Sequence, residues 1–215
     1  MSAHAVYDAL HAAYGPQHWW PGDTPFEVMV GAVLTQNTGW VNVERAIDNL
    51  KANGALDPYT ILDVDPQQLA GWLKPSGYFN VKAQRLRNLC RWYLAHGGHE
   101  GLSEWDTTRL REGLLSVNGV GKETADDILL YAFARPVFVV DAYTRRIFSR
   151  LGLVAPEIDY ESLRGWFETE LGTVDGATRV FNEYHALIVS HGKDVCRPKP
   201  RCTECCLKQR CAGLR

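Results

Sequence analysis

The chain has 215 residues, 46% of them apolar and 22% charged, with a formal net charge of −2. That balance excludes a disordered chain, and the length suffices for one domain or two smaller ones with buried cores. The overall charge favours no polyanion, so any nucleic-acid surface has to be a local patch.

In chain order, residues 1–8 lack a basic stretch followed by an apolar run, so no secretory signal is read there. The most apolar stretch, Phe26 to Leu34, falls far short of the roughly 20 residues of a membrane span. A soluble, intracellular, cytoplasmic protein with no membrane partner is expected. Helical periodicity predicts helices over 3–14, 25–34, 38–52, 66–73, 80–96, 107–116, 122–134, 142–151, 159–171 and 176–191. Gly, Pro, Asn or Asp punctuate the breaks, as at Gly15-Pro16, Pro75-Ser76-Gly77 and Gly97-Gly98. The strand-like run Pro136-Val137-Phe138-Val139-Val140 is isolated, with nothing to pair with. The class is all-α.

Two basic clusters stand out. One is Lys82, Arg85, Arg87 and Arg91; the other is Lys193, Arg197, Lys199, Arg201, Lys208, Arg210 and Arg215, set against Asp194 and Glu204. Each reads either as a solvated face or as a phosphate-binding patch. Five of the six cysteines crowd into the last stretch, as Cys196-x5-Cys202-x2-Cys205-x5-Cys211 with Cys206 adjacent, while Cys90 stands alone. Such clustering points to a metal site rather than disulfides, and four thiolates suit either a [4Fe–4S] cluster or zinc. Taking Cys206 as the third ligand instead changes the spacing to x3 and x4.

Val117-Asn118-Gly119-Val120-Gly121-Lys122-Glu123-Thr124-Ala125 lies between two helical segments. Gly119 and Gly121 are expected to supply backbone angles closed to other residues and to leave room for close approach. The next helix would aim N–H groups at a phosphate oxygen. A Gly-x-Gly turn alone is as readily a plain helical hairpin.

The longer string resembles the helix-hairpin-helix DNA glycosylase superfamily, in particular its endonuclease III branch. That family carries Leu-Pro-Gly-Val-Gly-Arg-Lys-Thr-Ala, followed eighteen residues after the lysine by an aspartate in Val-Asp-Thr-His. Here Glu123 stands at the lysine, and eighteen residues on comes Asp141 in Val139-Val140-Asp141-Ala142-Tyr143. Gly77-Tyr78-Phe79-Asn80-Val81-Lys82-Ala83, Leu34-Thr35-Gln36-Asn37-Thr38 and His191-Gly192-Lys193 with the cysteines also match in order.

The resemblance implies a base-excision enzyme acting as a monomer on double-stranded DNA containing damaged bases. Two helical domains would hold the DNA cleft between them, 24–135 as a six-helix domain with the hairpin and 1–23 plus 136–215 as the cluster domain. Asp141 would be the catalytic carboxylate, stabilising positive charge on the sugar; taken alone it reads equally as a helix N-cap. Glu123 cannot form the Schiff base of the strand-cutting members, and Lys122 next to it is turned by about 100° around a helix. A monofunctional glycosylase is implied, with Lys122 as a phosphate contact and Glu123 either facing substrate or, with Asp126 and Asp127, acting as a first-turn acid.

His18-Trp19-Trp20-Pro21 offers aromatic faces for a flipped cationic base, and with Glu123 and the Gln36-Asn37 segment it resembles 3-methyladenine glycosylases of the endonuclease III type. Trp19 and Trp20 read otherwise as a plug between domains. Gln36 and Asn37 would fill the gap left by the extruded base, or else cap a turn. The resemblance makes Cys196, Cys202, Cys205 and Cys211 ligands of a [4Fe–4S] cluster, although the first loop is one residue short of the family's. A lyase on oxidised pyrimidines, an adenine mismatch glycosylase (for whose extra C-terminal domain the chain leaves no room) and a non-catalytic DNA-binding module remain as alternatives.

Overall fold

The computed structural model describes residues 1–19, 22–172 and 176–214; of Leu214 only the backbone is considered. The described residues fold into helices α1 (Ala3–Tyr14), α2 (Pro25–Leu34), α3 (Trp40–Ala52), α4 (Pro58–Asp63), α5 (Pro66–Trp72), α6 (Phe79–Ala95), α7 (Gly98–Ser103), α8 (Thr107–Ser116), α9 (Lys122–Asp127), α10 (Ala142–Arg150), α11 (Tyr160–Leu171) and α12 (Ala177–Asp194). No strand occurs among them. Helix starts are written into the sequence as oxygen-bearing caps. Ser2, Thr24, Asp57, Asp65, Asp106, Asp141 and Asp159 each accept a first-turn N–H, and proline comes next at Pro25, Pro58 and Pro66. Each such cap stabilises its helix by about 1 kcal/mol.

The chain divides into two compact units, Met1–Trp19 with Pro136–Arg215, and Trp20–Arg135. In the second, α2 is buried over its full length past the first proline. A helix apolar all round must be enclosed, and α3, α6, α9 and the turn after α9 enclose it. Short helices α4 and α7, absent from the periodicity reading, are too brief to show a repeat; α4 packs on α6. The helix expected over 122–134 changes pitch instead. Ile128–Ala132 is a π-helical turn, and Phe133 N–H reaches back to the Ile128 carbonyl at 3.3 Å. Arg111 and the fully buried Asp126 pair at 2.6 Å, tying α8 to α9. Asp126 is therefore no solvated first-turn acid.

In the first unit an aromatic core gathers Phe138, Phe148, Phe167, Phe181 and Tyr184, with Phe138 and Phe167 stacked 4.0 Å apart. The 136–140 run forms neither helix nor strand. Its Phe138 enters this core and its Phe138 N–H donates to Glu168 Oε1 at 3.1 Å. Helix α1 packs on α11 and α12, and Tyr184 Oη donates to the Ala3 carbonyl at 2.7 Å.

Candidate functional site

The hairpin between α8 and α9 is held from inside. Gln36 Nε2 donates to the Gly119 carbonyl at 3.1 Å and to Thr124 Oγ1 at 2.9 Å, and Arg85 donates to Gln36 Oε1. Asn88 Nδ2 satisfies the Asn118 carbonyl at 3.1 Å. Gly119 has φ +101°, and a Cβ there would fall 2.2 Å from Arg85 Cγ, so the position demands glycine twice over. Gly121 differs from expectation. Its φ of −94° is open to any residue, and a Cβ would meet nothing within 4 Å. What its missing side chain leaves is bare access to the start of α9, where Gly121 is the N-cap and Lys122 and Glu123 are exposed.

The basic cluster on α6 splits: Arg91 is solvated, while Lys82 and Arg87 are spent on the fold. Lys82 is 1% exposed and donates to the Leu34 carbonyl at 2.8 Å and the Ser76 carbonyl at 2.6 Å. Burial, with the Arg85 cation nearby, lowers its ammonium to about 8. Arg87 caps the end of α4 through the carbonyls of Ile61, Leu62 and Val64. Gln36, engaged with the hairpin, is a strut, whereas Asn37 is exposed at φ +56°. Tyr78, which charge and spacing did not single out, is 72% exposed at φ +46°. A bulky exposed residue held in the left-handed region is strained.

Asp141 caps α10, so its structural reading holds: Oδ1 accepts from Thr144 N at 2.7 Å and Thr144 Oγ1 at 2.8 Å. Oδ2 lies 3.7 Å from His185 Nε2 on α12. Burial alone would raise this carboxyl, but His185 and the Thr144 donors outweigh it and hold it below the usual carboxylate range. The Trp19 ring packs 5.6 Å from the His185 ring. Trp20, the other aromatic candidate, lies outside the described residues, as does Arg215. His185 is a neighbour that sequence reading missed; a histidine on a helical face carries no local signal of what it meets.

In the C-terminal loop, Cys196, Cys202, Cys205 and Cys211 line one cavity of about 200 Å³ together with Arg150. Cys206 is exposed and does not line it. Arg150 Nη1 approaches Cys196 Sγ at 3.4 Å, and His191 Nε2 lies 3.6 Å from Cys205 Sγ.

A helical fold, a clamped glycine hairpin and a mostly enclosed aspartate eighteen residues beyond Glu123 are the features of a base-excision type of DNA enzyme. Residues 30–169 match the model of the HhH-GPD superfamily base excision DNA repair proteins, and the chain belongs to that family. It is a DNA glycosylase, a hydrolase of base excision repair. A Methanocaldococcus jannaschii protein named "Putative DNA repair glycosylase" is 47% identical over 209 residues, 96% of this chain and 94% of that one. Endonuclease III of Thermotoga maritima is 32% identical, covering 89% of this chain and 84% of its own. The solved structure of H. pylori 3-methyladenine DNA glycosylase (MagIII) bound to 1,N6-ethenoadenine is similar with a TM-score of 0.79 and 31% identity, over 90% of this chain and 98% of that chain. No helix among the described residues is long and apolar enough to cross a membrane.

Proposed function

We propose that this glycosylase is monofunctional, releasing alkylated purines of the 3-methyladenine kind and leaving an abasic site. The observation that carries the reading is Glu123, an exposed carboxylate at the start of α9 where strand-cutting relatives have an amine. A carboxylate forms no imine with the sugar, so the reaction stops at hydrolysis. The likeness to MagIII, named for 3-methyladenine, supports the substrate class.

In this reading the glycosidic electron pair leaves with the base while a water oxygen bonds the sugar carbon. Asp141 stabilises the positive charge building on the sugar, and its Oδ2 accepts the proton of the water. Oδ1 is occupied by Thr144, which fixes which oxygen works. Trp19, packed on His185, presents an aromatic face to a cationic base. Asn37 and Tyr78, exposed on left-handed backbone, enter the duplex as the base leaves its stack. Gly119, Gly121 and Lys122 meet the phosphates of the duplex.

The cysteine loop fits a [4Fe–4S] cluster on Cys196, Cys202, Cys205 and Cys211. All four line one cavity of about 200 Å³, and their spacing, close to the family's, supports a cluster over a single zinc ion. When bound, the group supplies iron–thiolate cross-links between the end of α12 and the loop, and hydrolysis asks no electrons of it.

The test is incubation with duplexes carrying one alkylated purine or one oxidised pyrimidine. Free alkylated base should appear, with strand cleavage only after alkali, and borohydride should trap little protein on DNA. Efficient trapping that vanishes in Lys122→Ala would make the enzyme a lyase of the endonuclease III kind, the reading its relatives of that name favour.

A further inference from the structure

A lysine with 1% of its surface exposed is costly unless its ammonium is satisfied, and Lys82 is satisfied by two carbonyls at helix ends. Leu34 is the last residue of α2, and Ser76 the last of the Lys74–Ser76 turn. Helix C-termini offer unpaired carbonyls and the negative end of the dipole, which is why a cation settles there. The backbone past each of these ends is unusual. Beyond Leu34 comes the turn carrying Asn37 at φ +56°; beyond Ser76 come Gly77 and Tyr78, at φ +70° and +46°. One turn further along α6, Arg85 grips Gln36, which holds the Gly119 carbonyl.

We infer that Lys82 is a positioning residue for base excision: without touching DNA, it bolts together the roots of the Asn37 and Tyr78 loops and so sets how the duplex is opened. The inference rests on the reading that Asn37 and Tyr78 enter the duplex. Two carbonyls of separate segments, 2.8 and 2.6 Å from one nitrogen, fix a spacing that apolar packing alone would leave adjustable.

Lys82→Met keeps the buried volume and removes the donors, and Lys82→Gln keeps one shorter donor. Each is assayed for single-turnover release of 1,N6-ethenoadenine from two DNAs, one with the lesion paired in duplex and one with it in a short unpaired bubble. The ratio of the two rates is independent of how much protein is folded. Lys82→Met should lose roughly 10- to 100-fold on paired DNA, the order expected when reacting groups are misplaced by about an ångström. On the bubble, where the opening cost is already met, the loss should be much smaller. A 2-aminopurine beside the lesion should also brighten less with the variant. Equal losses on both DNAs in both variants would overturn the inference and leave Lys82 a packing residue. Asn37→Ala and Tyr78→Ala run alongside: a paired-selective defect in these but not in Lys82→Met sinks Lys82 alone, while wild-type behaviour in both sinks the underlying reading.

Discussion

Asp141 is a helix cap and the proposed catalytic carboxylate at once, and the geometry lets one residue do both. The cap uses Oδ1, and the remaining oxygen stands beside His185. Asp141→Asn keeps the shape and one acceptor but loses the charge. It should bind damaged duplex normally and lose about 10²-fold or more in single-turnover base release, the scale of removing transition-state charge stabilisation; a near-wild-type rate would rule the role out. The lowered carboxyl has a second consequence. A depressed folded-state value means that the ionised form stabilises the fold, fully above the unfolded value of about 3.9 and less as pH falls through the folded one. The stability difference between wild type and Asp141→Asn, measured by denaturant melts, should shrink only in acid, as pH falls past the unfolded carboxyl's value toward the folded one. A difference that shrinks near pH 6 would mean that the carboxyl is raised, not lowered.

At the scale of elements, the hairpin separates two glycines that look alike in sequence. Gly119 is locked by a left-handed φ and by Arg85 lying where a Cβ would go. Gly121 sits in ordinary extended backbone with open space around it. Gly119→Ala should therefore destabilise the protein by about 1–3 kcal/mol, the cost of a strained backbone with a steric clash. Gly121→Ala should leave stability within about 0.5 kcal/mol, as surface substitutions do, while weakening DNA affinity because a methyl group now stands before the start of α9. Thermal melts and fluorescence-anisotropy titrations check both. If Gly121→Ala binds as wild type, its bareness serves no phosphate.

At the scale of the molecule, the first helix and the last belong to one unit. Tyr184 holds the Ala3 carbonyl, and Tyr14 Oη lies 2.7 Å from Nδ1 of His191, which touches Cys205. A disturbance of the cysteine loop should thus be felt across this unit. Cys211→Ser should lose iron and lower the melting temperature, whereas Cys206→Ser, outside the cavity, should retain about four irons per chain. Loss of iron from Cys206→Ser with retention in Cys211→Ser would exchange their roles. One zinc and no iron in the purified wild type would replace the cluster outright.

Much of this was local and therefore legible in the chain itself. The all-α class, most helix positions and the aspartate and proline starts derive from periodicity and caps, which act within one turn. The glycine hairpin and its distance to Asp141 are likewise properties of spacing. What only the tertiary structure decided concerns partners far apart in sequence. Lys82 and Arg87 belong to a charged cluster in one dimension, yet they are spent on backbone carbonyls 48, 26, 25 and 23 residues away or nearer. Gln36 is drawn into the hairpin 83 residues on, leaving Asn37 outside, and His185 reaches Asp141 from another helix. Side-chain charge predicts what a group needs; only packing decides who supplies it, because burial removes the water that would otherwise serve everywhere alike.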